Sequence, residues 1–465
     1  MQYFKPEGDH LFVGDCMPFF HDDTLHVYYL LDENHHKALD GLGGHQWAHA
    51  SSADLTHWTH HPLAIAITHV WEGAICTGST FYDKGLFYGF YATRMRDRTQ
   101  HLSLATSQDG IHFQKNEPNP FASPPTGYDP YHYRDPFVFR DDHTGLYHML
   151  VTASLEEYPI DDRRGCLAHL VSTDLTNWDV CAPFLVPGLP GVPECPDYFF
   201  WNGWYYLIFS HGGAAHYRMS REPFGPWRRP KVDMFDGAAA GVMKTAAFTG
   251  GRRIGVAFIG TRKGYKDMGR LLFGGQMVLR EIIQHEDGTL GTTFPSEMIP
   301  RTGDAAPLAP IPLTSHATAT GRQVRLQADE GLEVAMLAGI PTNARIRATV
   351  RPEAHSALFS LFLKGAGNLQ DGYELRFLPF ERRVELLDQA IMCVDGLGED
   401  FTIDIILMED LIDVCIDRRR CLINRCAEFH GDRLFFFAHN AAVVFDAIEV
   451  RPLTASWNDA CDPTL

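Results

Sequence analysis

The sequence predicts an all-β protein, a five-bladed β-propeller followed by a C-terminal antiparallel β-sandwich. Three observations carry that expectation. A short pattern, Ser-x-acid-x-x-x-Trp/Phe, recurs along the first half of the chain; strand pairs rich in Tyr, Phe and Val stand ahead of most copies; and beyond a stretch rich in Pro and Ala the repeat gives way to simple apolar/polar alternation. The copies begin at Ser52, Ser107 and Ser172, each with its aromatic residue (Trp58, Phe113, Trp178) at the same offset, and a looser fourth runs from Ser220 to Trp227. Ser and Asp suit a tight turn, and the aromatic side chain closes it onto its neighbour.

Each strand pair reads as the inner half of a blade: Pro18 to Phe20 with His26 to Leu30, Ser79 to Tyr82 with Leu86 to Tyr91, Phe137 to Phe139 with Leu146 to Leu150, and Tyr198 to Phe200 with Trp204 to Ile208. Counting back from the hairpin turns at Thr24, Gly145 and Gly203 reaches Asp15, Asp135 and Glu194, one acid per blade at equivalent phase. Innermost strands of a propeller converge on one mouth of the channel, so these three carboxylates should meet. Glu72 lies further from its turn and is expected higher on the rim, as a substrate contact. A fifth pair, Met243 to Phe248 with Arg252 to Ile259, has no acid at the matching phase and brings the blade count to five.

Around Asp304 to Pro312 the composition turns to Pro and Ala, which reads as a linker at 301–312 between a propeller at 1–300 and a sandwich at 313–465. Alternating runs such as Ala344 to Val350, Tyr373 to Phe377, Thr402 to Ile406 and Val443 to Val450 supply the sandwich strands.

With 465 residues, 45% hydrophobic and 12% aromatic, the chain is long enough for two cores. Forty basic against 58 acidic side chains, a formal charge of −18, argue against nucleic acid as a partner. The start lacks an apolar leader and no apolar run approaches a membrane span, so a soluble, cytoplasmic protein is expected. The ten cysteines contain no Cys-x-x-Cys, which favours free thiols over a metal site, and the 24 histidines read as blade surface and pocket rim. No metal and no cofactor are expected, and nothing signals an oligomeric state.

Carboxylates crowded at a channel mouth repel one another, and burial penalises their charged forms, so at least one should hold its proton near neutrality. That division of labour suits glycoside hydrolysis, in which one carboxylic acid protonates the leaving oxygen while a carboxylate attacks the anomeric carbon or activates water. A third carboxylate can stabilise positive charge or hold ring hydroxyls. The implied partner is an oligosaccharide or small glycoside. Trp47 and Trp71 are candidates either for blade packing or for stacking on a sugar face.

At these residues the sequence resembles glycoside hydrolase family 32, the invertase, inulinase and levanase group. Arg134-Asp135-Pro136 and Glu194-Cys195-Pro196 look like that family's Arg-Asp-Pro and Glu-Cys motifs, Trp47 to Ala50 its Trp-Gly-His-Ala segment, and Cys76 to Ser79 its Phe-Ser-Gly-Ser segment. Phe273 to Glu281 resembles the motif closing the propeller, and Asp413 to Asp417 with Ala447 to Leu453 the sandwich. The resemblance implies a retaining reaction on β-fructofuranosides, with Asp15 as nucleophile, Glu194 as acid/base, Asp135 as transition-state stabiliser, and Arg134, Trp47, Thr77 and Glu72 around the sugar. Two departures stand out. The family's Asn-Asp-Pro-Asn-Gly is here Gly14-Asp15-Cys16-Met17-Pro18, and its Gln after the first strand pair gives way to a region containing Asp32, a further candidate contact. Both remove neutral partners for sugar hydroxyls. An inverting arabinofuranosidase or xylosidase of family 43 type, and a noncatalytic carbohydrate-binding propeller, are the alternatives.

Overall fold

The computed structural model describes residues 1–454; Cys461 and the rest of the C-terminal end lie outside the described residues. Five blades surround a central channel. Their innermost strands are Leu11–His21, Glu72–Asp83, Tyr128–Arg140, Glu194–Trp201 and Gly241–Ala247, and each pairs antiparallel with the next strand of its own blade. The first and fifth blades join edge to edge through a pairing of Val13 with Gly275. The N-terminal residues reinforce that seam, since Tyr3 N donates to Met277 O and Met277 N donates to Phe4 O, both at 2.8 Å. Ring closure thus removes the exposed strand edges an open stack would leave.

Apolar clusters fill the wedges between blades; one joins Phe90 and Leu102 of the second blade to Val138, Met149 and Val151 of the third. The recurring Ser-x-acid pattern has a local cause. Asp54 Oδ1 accepts from the backbone N–H groups of Thr56 and His57 at 2.8 and 2.7 Å, and Asp109 and Asp174 do the same at their own turns. The indole N–H of Trp58 then reaches back to Leu55 O at 2.8 Å, which sets the spacing from acid to aromatic.

Two histidines of the first blade form a buried pair, His26 Nδ1 lying 3.0 Å from His49 Nε2, with His49 stacked on Tyr28 and His61. Burial lowers His26 to about 4 and His49 to about 2, below the ordinary imidazole value. Their contribution to stability is therefore complete above pH 6.5 and is lost as the pH falls below it, because the unfolded chain takes up protons first. The urea midpoint is expected to drop between pH 6.5 and 4.5 with a slope on the order of 1 kcal/mol per pH unit for each group. His49→Gln should flatten that slope.

The C-terminal strands wrap a single large apolar core. The long strand Arg433–Pro452 pairs from Leu434 to Phe445 with Gln323–Leu337, while its first half also pairs with Leu358–Ala366 and its second half with Ala344–Pro352. One strand thus serves both faces of the sandwich. The segment expected as a linker is not a free coil: Gly303 N and Ala306 N donate to Pro452 O and Val450 O, and Ile311–Pro312 pairs with Met336 and Ala335. The two domains share a core, with Tyr206, Phe235 and Leu290 packed together with Ile406, Leu411 and Ile423. At its centre Arg280, fully buried, donates through Nε to Asp236 at 2.8 Å and through both terminal nitrogens to Asp413 at 2.9 and 2.8 Å. Arg262 is also buried at this boundary, where it donates to Asn424 at 2.9 Å. No described helix is long and apolar enough to cross a membrane.

Candidate active site

All five innermost strands carry the same irregularity at the same level. Two residues of the inner strand oppose one residue of its partner at Gly14-Asp15, Cys76-Thr77, Asp135-Pro136, Cys195-Pro196 and Val242-Met243. Such bulges bend a strand and re-aim its side chains. Three of these residues, Asp135, Cys195 and Val242, adopt left-handed backbone angles, with φ of 54°, 53° and 52°. That conformation costs about 1 kcal/mol or more at each non-glycine position, a cost the surrounding contacts offset.

The bulges deliver Asp15, Asp135 and Glu194 to one cavity of about 600 Å³. Asp15 lies in its floor and is buried; its Oδ2 accepts from the Thr77 hydroxyl at 2.6 Å and lies 3.5 Å from the Cys195 thiol, while Oδ1 has no partner. Burial, together with the charges of Asp135 and Glu194, raises its carboxyl to about 6 against the pull of the Thr77 hydrogen bond. Asp135 is buried, and its Oδ2 accepts from Thr152 Oγ1 and the Cys195 N–H, both at 3.1 Å. Burial raises this carboxyl too, opposed by the neighbouring Arg134 guanidinium. The Glu194 side chain is 36% exposed to the cavity, and Arg134 Nη2 donates to its Oε1 at 2.6 Å. Arg134 thus bridges two of the three acids, with Nε 3.6 Å from Asp135 Oδ2.

The surroundings hold this arrangement rigid. A Cβ on Gly78 would fall 1.8 Å from Phe90 O, so only glycine permits the close approach of these strands, and the Gly78 carbonyl accepts from the buried Lys244 ammonium at 2.8 Å. Gly14 explains the missing family asparagine: a Cβ there would lie 2.9 Å from the Phe273 ring, which lines the cavity in the space a side chain would need.

Several expected contacts stand elsewhere. Glu72 is buried, receives the N–H groups of Thr68 and His69, and pairs with Lys115; it fastens the start of the second blade and does not line the cavity. Trp71 is likewise off the cavity, its ring parallel to His69 at 5.4 Å. Trp47 is fully buried and donates its indole N–H to Cys76 O at 2.9 Å, which makes it a support beneath the wall. Asp32 is fully buried behind His45 and His36 and touches no open space. Thr77 does line the cavity.

Other lining residues escaped the sequence reading: Gln100, His132, His36, His45 and Arg94. His132 shares strand parity with Arg134, a period-two signal that was available. Arg94 is half-buried and donates to His36 Nε2 at 2.6 Å and Leu42 O at 2.8 Å. Nothing in the local sequence marks Gln100 or Arg94, because they reach the cavity from the second blade by tertiary packing.

The sequence profile of the glycosyl hydrolases family 32 N-terminal domain matches residues 16–223, a stretch that contains Asp135 and Glu194. Residues 16–223 thus carry the N-terminal domain of glycoside hydrolase family 32. Among curated family members the chain is 29% identical over 214 residues to a sucrose-6-phosphate hydrolase of Escherichia coli, covering 41% of this chain and 39% of that protein. It is 30% identical over 184 residues to a sucrose-6-phosphate hydrolase of Bacillus subtilis, covering 37% and 36%. The matches thus span under two fifths of these relatives' own lengths. Among solved structures, fructan 1-exohydrolase IIa from Cichorium intybus superposes with a TM-score of 0.75 over 98% of this chain and 97% of that one at 16% identity. Exo-inulinase from Aspergillus awamori gives 0.73 over 98% of both chains at 14% identity. These likenesses extend the family fold, propeller and sandwich together, across nearly the whole chain.

Proposed function

We propose that the protein is a retaining glycoside hydrolase that cleaves terminal β-fructofuranosides or a closely related furanoside by double displacement. The observation that carries this reading is the convergence of Asp15, Asp135 and Glu194 on one cavity, with Asp15 Oδ1 unpartnered in its floor and Glu194 more open to it. In the first step the Asp15 carboxylate attacks the anomeric carbon while Glu194 gives its proton to the departing glycosidic oxygen, leaving a glycosyl ester on Asp15. Arg134 stabilises the carboxylate that Glu194 then becomes. In the second step Glu194 takes a proton from water, whose oxygen attacks the same carbon and frees Asp15. Asp135, fixed by Thr152 and the Cys195 N–H, offers its remaining acceptor capacity to sugar hydroxyls.

Relatives named for sucrose 6-phosphate, raffinose and levan, and a fructan exohydrolase solved with 1-kestose, support a fructoside over the arabinoside and xyloside alternatives. The test is incubation with sucrose, 1-kestose, inulin and levan, alongside aryl arabinofuranosides, with NMR of the first anomer released. Release of β-fructofuranose ahead of mutarotation is expected; inversion, or turnover of arabinosides alone, would overturn the reading. Because Asp15 must be ionised to attack and burial raises it to about 6, kcat/KM is expected to fall about tenfold per unit as pH drops below about 6.

A further inference from the structure

Beside the three acids, the cavity wall holds a second cluster that the hydrolytic reaction does not use. Asp32 is the penultimate residue of the strand Thr24–Glu33, His45 immediately precedes Gln46–Ser52, and His36 lies in the loop between them. His45 Nε2 stands 3.0 Å from Asp32 Oδ1 and 2.9 Å from His36 Nδ1, and all three atoms fall within 4.8 Å of one another. Asp32 and His45 are buried, and both Asp32 Oδ2 and His45 Nδ1 lack a hydrogen-bond partner.

Hydrogen bonds alone do not complete this cluster with ionised Asp32. A neutral imidazole carries one N–H. Arg94 donates to His36 Nε2, so the His36 proton sits on Nδ1 and points at His45 Nε2, which must then be bare. That bare nitrogen faces a carboxylate oxygen at 3.0 Å, acceptor against acceptor. Placing the proton on His45 Nε2 instead forces an N–H of His36 against the Arg94 guanidinium. A positive centre among the three atoms removes the conflict. Two ligands at right angles and about 2.1 Å from an ion stand about 3.0 Å apart, the spacing of the two pairs that include His45.

We propose that Asp32, His36 and His45 bind one divalent transition-metal ion in the wall of the cavity. Two imidazoles and one carboxylate select manganese, iron, cobalt or zinc over calcium or magnesium. Binding requires Arg94 to release His36 Nε2 while keeping Leu42 O, and the His36 N–H that donates to Asp32 Oδ1 at 2.8 Å orients the carboxylate from behind. His36 and His45 face the cavity and Asp32 does not, so the ion's open positions point toward the bound sugar, where vicinal hydroxyls are the fitting ligands.

The test uses the full chain, stripped with chelator, loaded with Co²⁺ or Zn²⁺ and desalted. About one equivalent should remain by elemental analysis, with a Co²⁺ visible absorption band and a higher Tm than the stripped protein. His36→Gln, at a half-buried position, should fold with the Tm of the stripped wild type and lose the retained metal, the band and the Tm gain. Asp32→Asn should behave likewise, and Asp135→Asn should retain all three. Wild-type retention below about a tenth of an equivalent would overturn the proposal. Metal binding undiminished in both His36→Gln and Asp32→Asn would overturn it by placing the ion elsewhere.

Discussion

Asp15→Asn and Glu194→Gln are each expected to lower kcat by about 10⁴-fold or more, since in the proposed mechanism each removes a group that forms or breaks a bond to the anomeric carbon or its leaving oxygen. The two variants should part company in other measurements. Asp15 is ionised at pH 7 although burial raises its carboxyl from 3.8 to about 6 in the folded protein. A folded value above the unfolded one means that stability falls as pH rises through that window, and the ionised group costs about 3 kcal/mol at pH 7. Asp15→Asn keeps the shape and the Thr77 hydrogen bond without that charge, so a Tm several degrees above wild type should accompany the loss of turnover. Glu194 is more open, and Glu194→Gln should leave Tm nearly unchanged while an aryl glycoside whose leaving group needs no proton regains the first step. Asp15→Asn gives no such recovery. Wild-type hydrolysis by either variant would refute the roles given to them. Asp135→Asn should lower kcat more than it raises KM, because its contacts to the sugar strengthen as positive charge develops.

The largest stability effect is expected at the domain boundary. Arg280→Met would leave Asp236 and Asp413 in the shared core without their cation, although Tyr3 still donates to Asp413 at 2.7 Å and Thr292 to Asp236 at 2.8 Å. Removing one partner of a buried ionic network costs about 3–5 kcal/mol, because the remaining charges keep their desolvation penalty and lose their compensation. The urea midpoint should fall accordingly. Replacing all three by apolar residues of similar volume should restore much of the loss. A variant Arg280→Met as stable as wild type would mean that the two domains hold together by apolar contact alone.

Both sets of residues differ in how far the sequence disclosed them. Asp15, Asp135 and Glu194 were legible because a propeller converts equal phase along successive hairpins into convergence in space. The repeat that sets this phase is itself local chemistry, an acid gathering two backbone N–H groups within three residues. The family motifs around Arg134 and Glu194 carried the same message. Glu72, placed on the rim by its greater distance from the hairpin turn, is instead held by Lys115 and the Thr68 and His69 N–H groups, partners that distance from a turn does not disclose. Asp32, His36 and His45 were visible only as acids and histidines in a loop. Their grouping depends on left-handed backbone angles at Asn34, His35 and His36, which no residue type there demands.

The linear order of residues determined the blade count, the strand pairs and the three acids, since these follow from short-range periodicity and turn chemistry. Tertiary structure decided which side chains reach open space: the five aligned bulges, Phe273 in the space left by Gly14, Trp47 beneath the wall, and Arg280 locking the two domains together. The physical reason is that burial and desolvation are properties of the whole packed ring. A carboxylate's neighbours along the chain do not specify them until the blades close.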